Sequence, residues 1–191
     1  LHSNLRRQRQ MCIRDSSSHY LIKNNGEIIT LVPDLYIAWH AGVSTWKKYK
    51  SINKYSIGIE ISNPGHNYNY KKFSKMQIKS VLKLSNYLIK KYKIKSNFIL
   101  GHSDIAPDRK KDPGEKFPWK YLSKNKVGYW HNLKEKKLLK IRDLKVDQLD
   151  KDKFTKNLYR IGYPKNIFFN KNNYLKILTT AFQRRFRQEL V

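Results

Sequence analysis

Three groups able to do chemistry share one loop: His102, Lys110 and Asp112, within Gly101-His102-Ser103-Asp104-Ile105-Ala106-Pro107-Asp108-Arg109-Lys110-Lys111-Asp112-Pro113-Gly114. An imidazole nitrogen and a carboxylate oxygen are both good zinc ligands, and a catalytic zinc typically takes three protein ligands and leaves a position for water. A structural reading competes. A His after a strand also serves packing, and charges on a Pro- and Gly-bearing loop also serve solvation. On spacing alone both readings stand, since no third ligand is in view. A second candidate is Glu60, in Ser56-Ile57-Gly58-Ile59-Glu60-Ile61-Ser62-Asn63. Alternation puts Ile57, Ile59 and Ile61 on one face and Gly58, Glu60 and Ser62 on the other, as in a central strand. A carboxylate there is costly to bury unless paired or functional; on an edge strand it simply stands in water. His40, in Ile37-Ala38-Trp39-His40-Ala41-Gly42-Val43-Ser44, suits a loop that approaches a ligand closely, and equally suits packing.

These groups need elements to position them. The apolar run Asn97-Phe98-Ile99-Leu100 predicts a buried strand that delivers His102 to a rim. Ser18-His19-Tyr20-Leu21-Ile22 and Glu27-Ile28-Ile29-Thr30-Leu31-Val32 predict two strands joined by a turn at Asn24-Asn25-Gly26. Residues 73–94 predict a helix, with Ser74 as N-cap and Gln77 completing a capping box. Met76, Ile78, Val81, Leu82, Ser85, Leu88, Ile89 and Tyr92 recur there at helical spacing with lysines opposite, a pattern of core packing. A mixed central sheet flanked by helices follows, in the α/β class. A short helix is expected after Trp119. Residues 132–150 are charged and weakly patterned, and read as a linker. Phe154, Leu158 and Tyr159 mark a helix ended by Gly162-Tyr163-Pro164, and Tyr174, Leu175, Leu178, Ala181, Phe182 and Phe186 mark another. Two small helices bury little surface by themselves.

The chain has 191 residues, with 39% hydrophobic and 13% aromatic content, enough for one ordinary domain and a small appendage. A formal net charge of +27 first suggests a polyanionic partner. The lysines are nevertheless spread over the whole length among abundant Asn, Ile and Tyr, which reads as a coding bias and not as a built patch. With no recognisable nucleic-acid module or basic stripe, nucleic acid is not expected as a partner. The single Cys12 excludes an internal disulfide framework and a Cys-cluster metal site. No apolar run reaches transmembrane length. Residues 1–16 lack hydrophobic period and cap or turn logic, and are read as a non-native segment. The expected organisation is therefore 1–16 non-native, 17–131 catalytic domain, 132–150 linker and 151–191 partial helical unit.

The loop resembles the zinc-binding loop of the type 2 N-acetylmuramoyl-L-alanine amidases, which carry G-H-x-D-I-A-P-x-R-K-x-D-P-G followed by F-P-W; here Phe117-Pro118-Trp119 follows. The segments S-H-Y-L-I, A-W-H-A-G and S-I-G-I-E, holding His19, His40 and Glu60, are similar to the same family. The resemblance implies a peptidoglycan recognition protein-like fold and zinc-dependent hydrolysis of the amide between N-acetylmuramic acid and L-alanine. It implies His102 and Asp112 as metal ligands, Glu60 and Lys110 as catalytic groups, and His40 as a substrate contact. For His19 a substrate contact and a strand residue satisfied by the backbone remain open. The tail is similar to the first part of a small peptidoglycan-binding domain. A monomer acting on peptidoglycan or muropeptides in the bacterial envelope is implied, in the periplasm and anchored through a missing N-terminus.

One departure matters. The family's first zinc ligand is a His on a strand before the hairpin, and residues 1–16 stand in that place. The first strand is therefore expected to be missing, with His2 a poor substitute, and the tail domain to be incomplete. The rival expectation is a module that binds peptidoglycan without cutting it. Asp112 speaks against that reading, since the family's binding-only relatives usually lose it.

Overall fold

The computed structural model describes residues 18–142, 147–165 and 170–191. They fall into two compact units, residues up to Lys93 and residues from Ile94 on.

In the first unit, strands β1 (Tyr20–Ile22), β2 (Ile28–Thr30), β3 (Thr45–Trp46), β4 (Tyr49–Lys50) and β5 (Ile59–Ile61) precede helix α1 (Lys75–Tyr92). β1 is the middle of a three-stranded sheet ordered β2-β1-β5. It pairs antiparallel with β2 and parallel with β5, with Leu21 opposite both Ile29 and Glu60. The sheet is thus mixed, as expected. The turn closes through the Gly26 N–H on the Lys23 carbonyl and the Glu27 N–H on Asn25 Oδ1. β3 and β4 form a separate small hairpin. The central-strand reading of 56–63 is corrected: β5 is shorter and, among the described residues, lies at an edge of this sheet, with Glu60 half-buried on it.

Helix α1 begins where its cap was read. Ser74 Oγ accepts from the Gln77 N–H, and the Gln77 side chain accepts from the Ser74 N–H. The helix then stitches itself to the hairpin turn and to the end of β5: Ser74 Oγ donates to the Asn24 carbonyl, Ser80 Oγ to the Gly26 carbonyl, and Gln77 Nε2 to the Ser62 carbonyl. Its buried face is Gln77, Ile78, Val81, Leu84, Ser85 and Leu88. Met76 and Tyr92, read as core positions, are exposed, and Leu84 takes a place the periodic reading passed over. The Tyr92 hydroxyl instead donates to Asp34.

The second unit holds α2 (His102–Ile105), α3 (Trp119–Lys124), α4 (Glu135–Arg142), α5 (Gln148–Ile161) and α6 (Lys171–Phe186). Asp147 caps α5 by accepting from the Asp150 N–H, and Asn170 caps α6 by accepting from the Asn173 N–H. Gly162 ends α5. The strand expectation changes here. Residues 97–100 are not a strand: Ser96–Phe98 forms a 3-10 turn, and the Ile99 carbonyl accepts from the Arg185 side chain where a ladder partner would be. Residues 132–150, read as a linker, include the helix α4. The tail helices do not pack alone. Leu158, Leu178 and Ala181 are buried, and α6 lies against α2, α3 and α5 within the same unit.

Asp34 ties the first unit together. Its carboxylate accepts from Tyr20 Oη at 2.5 Å, Tyr92 Oη at 2.8 Å and Lys91 Nζ at 3.0 Å, joining β1 to the last turn of α1. Burial alone would raise its pKa, but these three donors outweigh burial and hold the carboxyl below its usual range. Burial, then the Asp34 bond, pushes the Tyr20 phenol up to about 12. A carboxyl with a depressed folded pKa stabilises fully above its unfolded value and loses that contribution as pH falls through the folded one. Asp34→Asn should therefore cost about 1–3 kcal/mol at pH 7 in urea unfolding, and the gap to the native protein should narrow as pH falls below about 4.

Candidate functional site

The first-unit candidates gather around Gly58. Its carbonyl accepts from the His19 and Tyr20 N–H groups at 3.0 and 3.1 Å, and its N–H donates to His19 Nδ1 at 3.0 Å. His19 Nε2 therefore carries the proton, and donates it to the Tyr36 carbonyl at 3.0 Å. The residue is 1% exposed with both ring nitrogens on the main chain. Of its two open roles, this arrangement fits the backbone-satisfied one.

His40 packs edge-on against His19, with ring centroids 5.6 Å apart. A Cβ on Gly58 would fall 2.3 Å from His40 Cγ, so only glycine lets the imidazole lie on that strand. Gly58 and Glu60 are two residues apart, and the pleat turns both toward the same sheet face. His40 and Glu60 therefore share a face. The Ser56 hydroxyl gives its proton to the Ile52 carbonyl at 2.7 Å, so His40 Nε2 must donate to Ser56 Oγ, at 3.2 Å. Buried Asn53 holds the next residue, its Oδ1 accepting from the Ala41 N–H at 2.7 Å. Ile37, Trp39 and Val43, on the same stretch of chain, are exposed.

In the second unit the loop folds back on itself. The Ser103 N–H donates to the Asp112 carbonyl at 2.9 Å, and a Cβ on Gly101 would fall 2.4 Å from Pro113 Cδ. Closing the loop in this way brings His102 Nδ1 into direct contact with Asp112 Oδ2. The side chains are 28% and 55% exposed. Asp112 is open on one side, yet enough neighbouring atoms surround its carboxylate that desolvation works to raise its pKa. The hydrogen bond and charge of His102, with a further contribution from Lys110, outweigh desolvation and hold the carboxyl below the ordinary range. The Lys110 side chain is exposed, and its N–H donates to the Ala106 carbonyl at 3.0 Å.

An imidazole nitrogen and a carboxylate oxygen converging at one point are the right donors for zinc, and fill two of the three protein positions a catalytic site requires. Among the described residues no group of three His, Cys, Asp or Glu could hold a metal. His2, the upstream candidate, lies outside the described residues, as does Cys12.

Asp104, Trp119 and Arg185 form a network to which the sequence alone assigns no role. Asp104, 1% exposed, accepts from Arg185 Nη1 at 2.6 Å, Tyr163 Oη at 2.9 Å and the Gly101 N–H at 2.9 Å. The Arg185 guanidinium lies 4.0 Å from the Trp119 ring centre. The spacing of Gly101 and Asp104, three apart with the acid reaching back to the N–H, was the one local signal for this network.

A model of the N-acetylmuramoyl-L-alanine amidase family matches residues 2–115, and the chain belongs to that family. It is 40% identical over 126 residues to the N-acetylmuramoyl-L-alanine amidase AmiD of Escherichia coli, covering 60% of this chain and 46% of AmiD. It is 42% identical over 109 residues to the 1,6-anhydro-N-acetylmuramyl-L-alanine amidase AmpD of Haemophilus influenzae, covering 56% and 57%. The chain thus spans about half the length of these relatives. Its structure matches that of E. coli AmiD in complex with the substrate anhydro-N-acetylmuramic acid-L-Ala-D-gamma-Glu-L-Lys, with a TM-score of 0.83 and 31% identity, over 95% of this chain and 75% of that one. It also matches AmpDh3 of Pseudomonas aeruginosa in complex with anhydromuramic pentapeptide, with a TM-score of 0.78 and 30% identity, over 91% and 74%.

The two glycines are the sharpest local requirement. Gly58→Ala and Gly101→Ala should each lower stability by about 1–3 kcal/mol in denaturant melts. The first should also shift the His40 ring resonances and leave those of His102 in place.

Proposed function

We propose that this protein is a zinc-dependent hydrolase of the amide between the lactyl group of N-acetylmuramic acid and L-alanine, in peptidoglycan or in muropeptides released from it. The observation that carries the reading is the convergence of His102 Nδ1 and Asp112 Oδ2 on a closed loop of this family. The substrate class follows the relatives, whose structures hold anhydromuramyl peptides.

His102 and Asp112 would hold the metal. When bound, zinc supplies Lewis acidity at the scissile carbonyl and draws the pKa of a water toward neutrality. Glu60 is the general base: it takes a proton from the attacking water and hands it to the leaving amine nitrogen of L-alanine. Its half-buried place on β5 favours that role over a fully solvated carboxylate. Lys110 offers its ammonium to the developing oxyanion, a contribution of about 3–4 kcal/mol when one such donor is removed elsewhere. Its side chain is exposed. His40, with its Nε2–H committed to Ser56, shapes the cleft beside the exposed Trp39. The place of action is the bacterial cell envelope, and the +27 charge suits an anionic polymer there.

The test is muropeptide hydrolysis and zinc content measured on the same samples. The native chain should release the peptide at its L-alanine end. Glu60→Ala should keep its zinc and lose at least about 100-fold in turnover. Equal turnover in that variant would remove Glu60 from the mechanism. A folded native chain that binds muropeptide without cleaving it would favour the binding-module reading.

A further inference from the structure

We propose that Arg185 and Tyr163 are positioning residues for the metal ligand His102, acting through the carboxylate of Asp104. The inference rests on the zinc reading above. Asp104 accepts from the Gly101 N–H, on the near side of His102, while its own backbone lies two residues beyond it. One carboxylate therefore braces the chain on both sides of the ligand. Its remaining bonds come from distant sequence: Tyr163 just past α5, and Arg185 in α6, 81 residues away. Arg185 does more than neutralise the acid. Nη1 takes Asp104 while Nη2 reaches the Ile99 carbonyl at 3.0 Å, on the segment that enters the loop. The planar fork fixes the angle between those two acceptors, which a lysine ammonium cannot do. The Trp119 face and the Phe117 ring packed against it, at 4.8 Å between centroids, set where the fork lies. Gln188, just past the same helix, donates to the Phe117 carbonyl at 2.6 Å. Tyr163 stays a donor because burial, and then Asp104, push its phenol pKa well above the ordinary value. On this account the tail helices are a brace for the metal loop, whatever else they bind.

The test compares the full chain with Tyr163→Phe, Arg185→Lys and the charge-balanced double variant Asp104→Asn/Arg185→Met. Zinc affinity is read by competition with a chromophoric chelator. Amide exchange of residues 101–103 is read on metal-free protein, and the visible spectrum on cobalt-loaded protein. The expected result is folded variants that bind zinc about tenfold more weakly, exchange the Gly101 amide faster and show an altered cobalt spectrum. Tyr163→Phe deletes only a hydroxyl and the double variant leaves no unpaired buried charge, so the test survives a folding failure of Arg185→Lys. Folded variants with native zinc affinity and native exchange would overturn the proposal. A native chain that binds no zinc would overturn the zinc reading instead, and the Gly101 exchange would still decide whether these side chains brace the loop.

Discussion

The second unit depends on a single buried carboxylate. Asp104 can lie 1% exposed only because Arg185, Tyr163 and the Gly101 amide all donate to it. Among the described residues Arg185 is the one buried cationic side chain in a chain with 41 lysines and arginines. Such a pair adds little net stability compared with apolar groups of the same shape, but removing one partner costs about 3–5 kcal/mol. Its effect here is to fix geometry. The loop that carries His102 and Asp112 takes its shape from a helix far along the chain. Closure of that loop, with Pro113 against Gly101, then puts the two donor atoms in contact.

The first unit solves a parallel problem with neutral groups. Gly58 supplies both the hydrogen bond that fixes the His19 tautomer and the space that His40 occupies. A buried histidine ring, satisfied at both nitrogens, becomes the wall against which a more exposed one stands. Glu60 follows two residues later, on the same face. The chemistry proposed for these residues thus rests on short main-chain contacts, which a change of one methyl group would disturb.

What was legible in the sequence was local. The Ser74 and Gln77 cap, the 24–26 turn and the Gly162 helix end are each written within a few residues, and each is where it was read. The loop motif carried the candidate site for the same reason. Long-range partners left no such mark. Residues 97–100 have the apolar content of a strand, but the Ile99 carbonyl is taken by a side chain from α6. Arg185 looks like any other basic residue until the fold brings Asp104 to it. Met76 and Tyr92 show the limit of periodicity: both lie on end turns of α1, where helical spacing continues but the packed surface does not.

The central claim is that His102 and Asp112 are zinc ligands. X-ray absorption at the zinc edge of the loaded protein tests it directly. The account predicts a shell of nitrogen and oxygen neighbours at about 2.0–2.1 Å, with an outer-shell imidazole signal that weakens in His102→Ala. It also predicts a lost oxygen neighbour in Asp112→Ala. A zinc shell unchanged by both substitutions, or one without an imidazole contribution, would contradict it.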